Sequence, residues 1–246
     1  MKPIVRKGGS RVNRHRDLDG SRAQTLSRGI RCLEELAAAR GPLTIAKLAA
    51  GLRVHRSIAY RIVRTLEDHH LVRRDTDGVA LGLGLIELAR GVARGWEDNI
   101  RAAVRTLADE LMMTTYIAVR DGSDCVVVIS EEPRGRDAVV TYHPGYRHSL
   151  KTGADGRAVQ CALLPEEWMT LGAEIARTAK IRAAAARGYA NSTGEVIPGL
   201  SAVAVPMRLR AWGAAALAVV FVGSKFSVAE LARRLSSTAA KIQRAA

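Results

Sequence analysis

The spacing of apolar residues changes part-way along this chain, and that change most limits what it can fold into. Up to Leu111 they recur largely at helical intervals; beyond it strand-like runs dominate. Leu26, Ile30, Leu33 and Ala37 mark a first helix, which Gly41-Pro42 stops. Thr44 is placed to cap a second, short helix whose Ile45, Leu48, Ala49 and Leu52 face inward. In "VHRSIAYRIVRTLEDHHLVRRD", residues 54–75, Ile58, Ile62, Val63 and Leu66 form the buried stripe of a third helix. Arg56, Arg61 and Arg64 then project from its other faces. Two helices joined tightly, the second longer and basic, outline a helix-turn-helix. Leu71-Val72 begins a strand, Asp77-Gly78 signals a hairpin and Val79-Ala80-Leu81 returns, which makes the unit winged. Residues 84–95, with Leu85, Leu88 and Val92 on one side, read as a linker helix.

The distal part starts with a helix carrying Ile100, Val104, Leu107 and Leu111. "TYIAVR" (115–120), the turn "DGSD" and "CVVVIS" (125–130) read as a hairpin, and "AVVTY" (138–142) as a third strand. "GADGRAVQCAL" (153–163) is a loop running into a helix, and Pro165 suits the first position of another. "SAVAVPM" (201–207) and "GAAALAVVFV" (213–222) are apolar strands. Residues 227–244 form a last helix with Leu231, Leu235 and Ile242 on one side. The expected class is α+β with antiparallel strands and flanking helices. The expected divisions are a basic disordered arm (1–21), a winged helix-turn-helix (22–83), the linker helix (84–95) and a distal domain (96–246).

Charge divides the chain in the same place. Of 38 Lys and Arg and 24 Asp and Glu, residues 1–74 hold 17 and 6, which leaves 21 and 18 for the rest. A basic end beside a near-neutral end points to a polyanion such as nucleic acid, and the arm reads equally as lying along phosphates or in a minor groove and as an ordinary frayed terminus. Cys32, Cys125 and Cys161 are odd in number and form no CxxC pattern, which argues against a disulfide scaffold or zinc finger and suits a reducing cytoplasm. No apolar run reaches membrane-spanning length, and the start lacks the apolar stretch of a secretory signal.

Enzymatic readings find little support. His143 and His148 lack a third metal ligand at a persuasive spacing, so no metal or other cofactor is expected. Cys161 with His148 lacks an orienting third group, and "GLG" (82–84) lacks the rest of a dinucleotide fingerprint. No catalytic residue is assigned. An enzyme acting on nucleic acid and a sequence-blind architectural protein remain the competing classes; a turnover assay and competitor DNA separate them.

Several fragments together resemble the IclR family of bacterial transcriptional regulators. "SRGIRCLEELAA", "LTIAKLA", "HRSIAYRIVRTLE" and "LVRRDTDGVALGLGLIELA" follow that family's order and spacing. "GYRHSLKTGADGRAVQCALLP" resembles its pocket loop and helix, and "RGYANSTGEVIPGLSAVAVPM" its C-terminal signature, with Arg187 to Ala190, Glu195, Gly199 and Pro206 in register. The likeness extends over roughly residues 22–240.

The resemblance implies a DNA-binding winged helix-turn-helix, a linker helix and a GAF-like effector-binding domain. It also implies a dimer or dimer of dimers on a palindromic operator, with half-sites about 10–10.5 bp apart or a multiple of that. Thr44, Arg56, Ser57, Tyr60, Arg61, Arg64, Arg73 and Arg74 are the expected DNA contacts. Ser57 and Arg61 are assigned to phosphates, Arg56 or Tyr60 to base edges, and Arg73 and Arg74 to neighbouring phosphates. Arg53 and His55 depart from the Gly and Pro common in the family's turn. The expected effector site is Gly153, Ala154, Asp155 and Gly156, whose small residues let backbone N–H groups approach an anion, together with Ser192, Ala202, Val220 and Val222. Three of these last four are apolar where the family often places polar groups. The expected effector is therefore a small organic acid with an apolar or aromatic part. Asp155 replaces a residue that is commonly small, either to repel carboxylates or grip a polar group, or as a helix cap, and the segment from Pro165 to Arg187 is shorter than is usual in the family.

Overall fold

A computed structural model describes residues 23–93, 98–134, 140, 142–171 and 178–245. The chain divides into two compact units, with the boundary falling between residues 94 and 95.

The N-terminal unit is built from α1 (Gln24–Ala38), α2 (Ile45–Leu52) and α3 (Arg56–Asp68), then β1 (Val72–Asp75), β2 (Gly78–Leu81) and α4 (Gly84–Ala93). Thr44 Oγ1 accepts a hydrogen bond from Lys47 N at 3.3 Å and so caps α2. Arg53 ends α2 at φ 56°, a left-handed conformation that glycine adopts without penalty. His55 caps α3, and its Nδ1 lies 2.9 Å from Ser57 Oγ. Strands β1 and β2 pair antiparallel with Asp75 opposite Gly78, so the tight turn is Thr76-Asp77 and Gly78 opens the returning strand. Gly78 has φ 135°, and a Cβ there would meet the Leu43 carbonyl oxygen at 2.8 Å. That close approach lets Leu43 and Val79 exchange two backbone hydrogen bonds of 2.9 Å.

Cys32, Leu36, Leu48, Leu52, Ile62, Val63, Val72 and Val79 are the core of this unit. Two expectations need correcting. Helix α1 buries Gly29, Cys32 and Leu36, while Leu26 and Ile30 stay 64% and 50% exposed. Ile58 is 38% exposed, and Ala59 takes the inward position in α3. A unit this small has too little interior to cover a broad apolar arc, so docking selects one side of it. Leu88 of α4 is exposed as well; residues 94 and 95 of the expected linker lie outside the described residues.

The second unit is a six-stranded antiparallel sheet in the order β5-β4-β3-β8-β7-β6. Its strands are β3 (Thr114–Asp121), β4 (Asp124–Glu131), β5 (Arg147–Ser149), β6 (Ala190–Thr193), β7 (Ser201–Leu209) and β8 (Gly213–Phe221). Helices α5 (Asp98–Leu111) and α9 (Val228–Ala245) pack on one face; α6 (Gly153–Cys161) packs on the other, next to α8 (Ala179–Arg187), and α7 (Pro165–Met169) follows α6. Ile100, Val104, Leu107 and Leu111 meet Leu231, Leu235 and Ile242 over Ile117, Val119, Val205, Leu217 and Val219. Tyr116, Ala118, Ala204, Ala216 and Ala218 alternate onto the opposite face beneath Ala154 and Ala158. A capping box in which Ser227 and Glu230 exchange hydrogen bonds starts α9. Buried Glu131 ties β4 to α5 through Arg101 at 2.6 Å and Arg105 at 2.7 Å.

Pairing of β3 with β4 shifts register between Ile117 and Ala118, where Val128 is passed over. The extra residue reverses which side chains of β4 face which layer. Ile129 therefore lies in the α5/α9 core, while Cys125 and Val127 lie beneath α6. The expected strand at 138–142 is not seen in its described residues: Val140 and Tyr142 are buried but belong to no strand, and 138, 139 and 141 lie outside the described set. The short β5 lies at that edge of the sheet, paired with β4. Helix α6 begins at Gly153 itself, with no loop residues preceding it within 153–163.

Candidate nucleic-acid interface and ligand cavity

On α3 the buried Ala59, Ile62 and Val63 fix the helix by one side, and Arg56, Ser57, Tyr60, Arg61 and Arg64 are all exposed on the others. Arg56, Arg61 and Arg64 form no ion pair among the described residues. Their planar guanidinium groups present several N–H donors in a fixed fork, suited to phosphate oxygens or to the O6 and N7 of guanine. Thr44 is exposed with its hydroxyl committed to the α2 cap, and Ser57 lies against His55.

The wing arginines are already engaged within the chain. Arg73 pairs with Asp75. Arg74 pairs with Glu67, its Nε 2.9 Å from Glu67 Oε2, and its guanidinium lies 5.0 Å from the centre of the Tyr60 ring. The Arg74 hydrogen bond holds the Glu67 carboxyl below the usual carboxylate range. Glu67 thus clamps the wing to α3. Both wing arginines keep N–H groups beyond those the clamp uses.

The second unit holds a narrow cavity, partly open to solvent, with free room for about one water molecule. Asp155, Ser192, Ala202 and Val220 line it, joined by Tyr116, Tyr142, Ser201 and the apolar Val196, Ile197 and Leu200. Tyr116 and Tyr142 stand edge to face with ring centres 5.0 Å apart. Sequence reasoning missed these two rings and the 196–200 segment; the only hint was that tyrosines are scarce, 5 in 246 residues. Val222 lies past the end of β8 and is 58% exposed, outside the lining.

Gly153, Ala154, Asp155 and Gly156 form the first turn of α6 and are buried. A Cβ on Gly156 would lie 2.7 Å from the Leu150 carbonyl oxygen, so only glycine allows this approach. The amides of this turn are bonded to the chain itself. Gly153 N donates to Glu195 Oε2 at 3.2 Å, Ala154 N to Ser192 Oγ at 3.0 Å and Gly156 N to Asp155 Oδ1 at 3.0 Å. Glu195 is also paired with Arg157 at 2.7 Å; burial would raise its pKa, but the Arg157 hydrogen bond and charge hold it below the usual range. An anion approaching these amides therefore meets a carboxylate already in place.

Asp155 is not the helix cap, since it lies within α6, after Thr152. Its Oδ2 accepts from His148 Nε2 at 2.9 Å and from the Tyr116 hydroxyl at 3.2 Å. Burial opposes charge on both His148 and Asp155, yet their mutual attraction outweighs it: His148 is held above its ordinary pKa and Asp155 below. Burial pushes the Tyr116 hydroxyl and the Cys125 thiol well up. Among the described residues the lining contains no Lys, Arg or His.

With this geometry in hand, residues 25–76 match the IclR helix-turn-helix domain. No curated protein is significantly similar to the chain in sequence. Among solved structures, an IclR transcriptional regulator from Alicyclobacillus acidocaldarius is 24% identical with a TM-score of 0.72; the match covers 91% of this chain and 98% of that one. An IclR homologue from Microbacterium hydrocarbonoxydans, complexed with 4-hydroxybenzoate, is 21% identical with a TM-score of 0.75, over 90% of this chain and 100% of that one. Thermotoga maritima IclR is 22% identical with a TM-score of 0.68, over 90% and 98%. Residues 25–76 thus match the IclR helix-turn-helix domain, and the chain shares the α+β fold of these solved structures.

Proposed function

We propose that this protein is a ligand-responsive, sequence-specific DNA-binding transcriptional regulator controlling a catabolic or metabolic operon, and not an enzyme. The observation that carries this reading is the unpaired, exposed row Arg56, Arg61 and Arg64 on the second helix of an IclR helix-turn-helix. In it, α3 enters the major groove of a palindromic operator, with Arg56 or Tyr60 at base edges and Ser57 and Arg61 on phosphates. The wing brings Arg73 and Arg74 to the backbone. Residues 22–83 serve as the DNA-binding domain, 84–95 as the linker helix and 96–246 as the GAF-like effector domain, behind a basic arm at 1–21. Two copies, or two pairs, act together in the cytoplasm. Specific affinity is of order 10⁻⁸ M or tighter at physiological salt.

The effector is a small organic acid with an apolar or aromatic part. The two tyrosine rings and the aliphatic wall support the apolar end. The acid end requires Glu195 to yield the Gly153 amide, which supplies a route by which binding shifts the local structure. Regulation follows if the effector favours one arrangement of the DNA-binding domains over another.

Footprinting on DNA flanking the protein's own gene tests the reading. A discrete protected site, lost in Arg61→Ala/Arg64→Ala, is the expected result; equal binding to every competitor DNA overturns it. Aromatic acids are expected to raise the melting temperature more than glyoxylate or pyruvate do, and the reverse order overturns the effector assignment.

A further inference from the structure

We infer that Cys125, His148 and Asp155 form a binding site for one zinc-class divalent cation in the second unit. The thiol sulfur, an imidazole nitrogen and a carboxylate oxygen of these residues all lie within 4.8 Å of one another. They come from three elements, and the sheet register brings them together. Cys125 on β4 is the direct partner of His148 on β5, and the Val128 bulge turns Cys125 towards α6, which supplies Asp155. A protein site of sulfur, nitrogen and oxygen donors suits zinc, whereas magnesium and calcium favour oxygen alone.

The surroundings are those a metal ligand needs. His148 Nδ1–H donates to the Ser149 carbonyl at 3.1 Å, which fixes the ring with Nε2 facing Asp155. Gln160 Nε2 donates to the Leu150 carbonyl at 2.6 Å and steadies the loop that follows His148. Asp155 is oriented by Gly156 N and by the Tyr116 hydroxyl. Such outer hydrogen bonds to a ligating imidazole and carboxylate set their direction and basicity. Cys125 Sγ makes no hydrogen bond among the described residues, so its own coordination displaces none, and the cation takes the place of the proton between His148 Nε2 and Asp155 Oδ2.

Charge balances too. Zinc displaces one proton from the imidazolium and one from the thiol, both released to solvent. A dication with one thiolate, one carboxylate and a neutral imidazole is uncharged, as is the proton-bearing cluster it replaces. Tetrahedral zinc holds such ligand atoms roughly 3.3–3.5 Å apart, so a pair as much as 4.8 Å apart closes by about 1.5 Å at most, within reach of side-chain rotation. Three protein ligands leave a fourth position for water or a ligand oxygen. Asp155 also lines the cavity, so a cation here would supply the positive charge its lining lacks.

Full-length protein stripped with a chelator and titrated with cobalt(II) tests the site. Binding of one cobalt per chain, with a thiolate-to-cobalt charge-transfer band that zinc(II) removes, is expected. Cys125→Ser should abolish the band, and His148→Asn should weaken cobalt binding at least tenfold. Cys32→Ala/Cys161→Ala, which keeps Cys125 as its only thiol, should retain the band. Absence of the band from the unaltered protein overturns the inference, as does its survival in Cys125→Ser. Gel shifts with metal-free protein report DNA binding separately, so failure of the metal site and failure of the regulator reading are distinguishable.

Discussion

The two units use their polar residues in opposite ways. In the N-terminal unit the proposed DNA-contacting groups are arginines on the outside of α3, held there by a buried apolar core. In the second, the informative groups are buried between a helix and a sheet: Asp155, His148, Tyr116 and Cys125 come from four elements and depend on one another. The first arrangement needs only a helix of fixed handedness, because burying one side exposes the rest. The second needs the whole sheet in register. A surface site tolerates changes in the core that leave the helix standing, whereas a buried polar cluster is costly to leave partly satisfied.

The contrast can be broken by substitution. The largest effect is expected from Leu217→Ala, at the centre of the sheet: a loss of about 2–5 kcal/mol, read by denaturant unfolding. Leu26→Ala, an inward position by periodicity but exposed in the structure, should change stability by less than about 0.5 kcal/mol. Next come Arg61→Ala and Arg64→Ala. Each should weaken operator binding by about 1–3 kcal/mol, while melting stays near that of the unaltered protein. If Arg61 is on a phosphate, its loss weakens all DNA sequences alike and lowers the salt slope by about one, whereas a base-reading arginine relaxes preference at one position.

A smaller gain is expected from Arg53→Gly, which relieves the left-handed strain at the end of α2. Less strain in the folded state outweighs glycine's greater freedom in the unfolded chain, for a net stabilisation of about 0.5–1 kcal/mol by thermal melting. The least effect concerns acid. Glu195's pKa is depressed on folding, so its stabilisation is present above the ordinary carboxylate value near 4.3 and lost as pH falls through the folded value. Glu195→Gln should flatten the acid limb of stability between about pH 5 and 3; an unchanged limb would show that the Arg157 pairing adds nothing.

Much of the architecture was legible along the chain. The helices of the winged unit, the hairpin after Leu71 and the strands at 115–130 and 201–222 follow from spacing and turn residues. The side on which α1 docks was not, since Leu26, Ile30 and Leu33 make as good a stripe on paper as Gly29, Cys32 and Leu36. Nor was β5, three residues with no alternation to detect. In the cavity, Asp155, Ser192, Ala202 and Val220 were found through likeness to a family, and Val222 was misplaced because the strand ends one residue before it. His148 was weighed beside His143 because they are neighbours in sequence. Its partners lie 23 residues earlier and seven later, at distances no ligand-spacing rule covers.

By itself, then, the sequence determined the order of elements, the basic exterior of α3 and the division of charge between the two ends. These depend on local periodicity and on which residues water will accept. Only the tertiary structure decided which wing arginines are clamped, that Glu195 already holds the α6 amides, and that Cys125 turns towards His148 and Asp155. A one-residue bulge and a strand register settle those matters, and neither is encoded within any window of neighbouring residues.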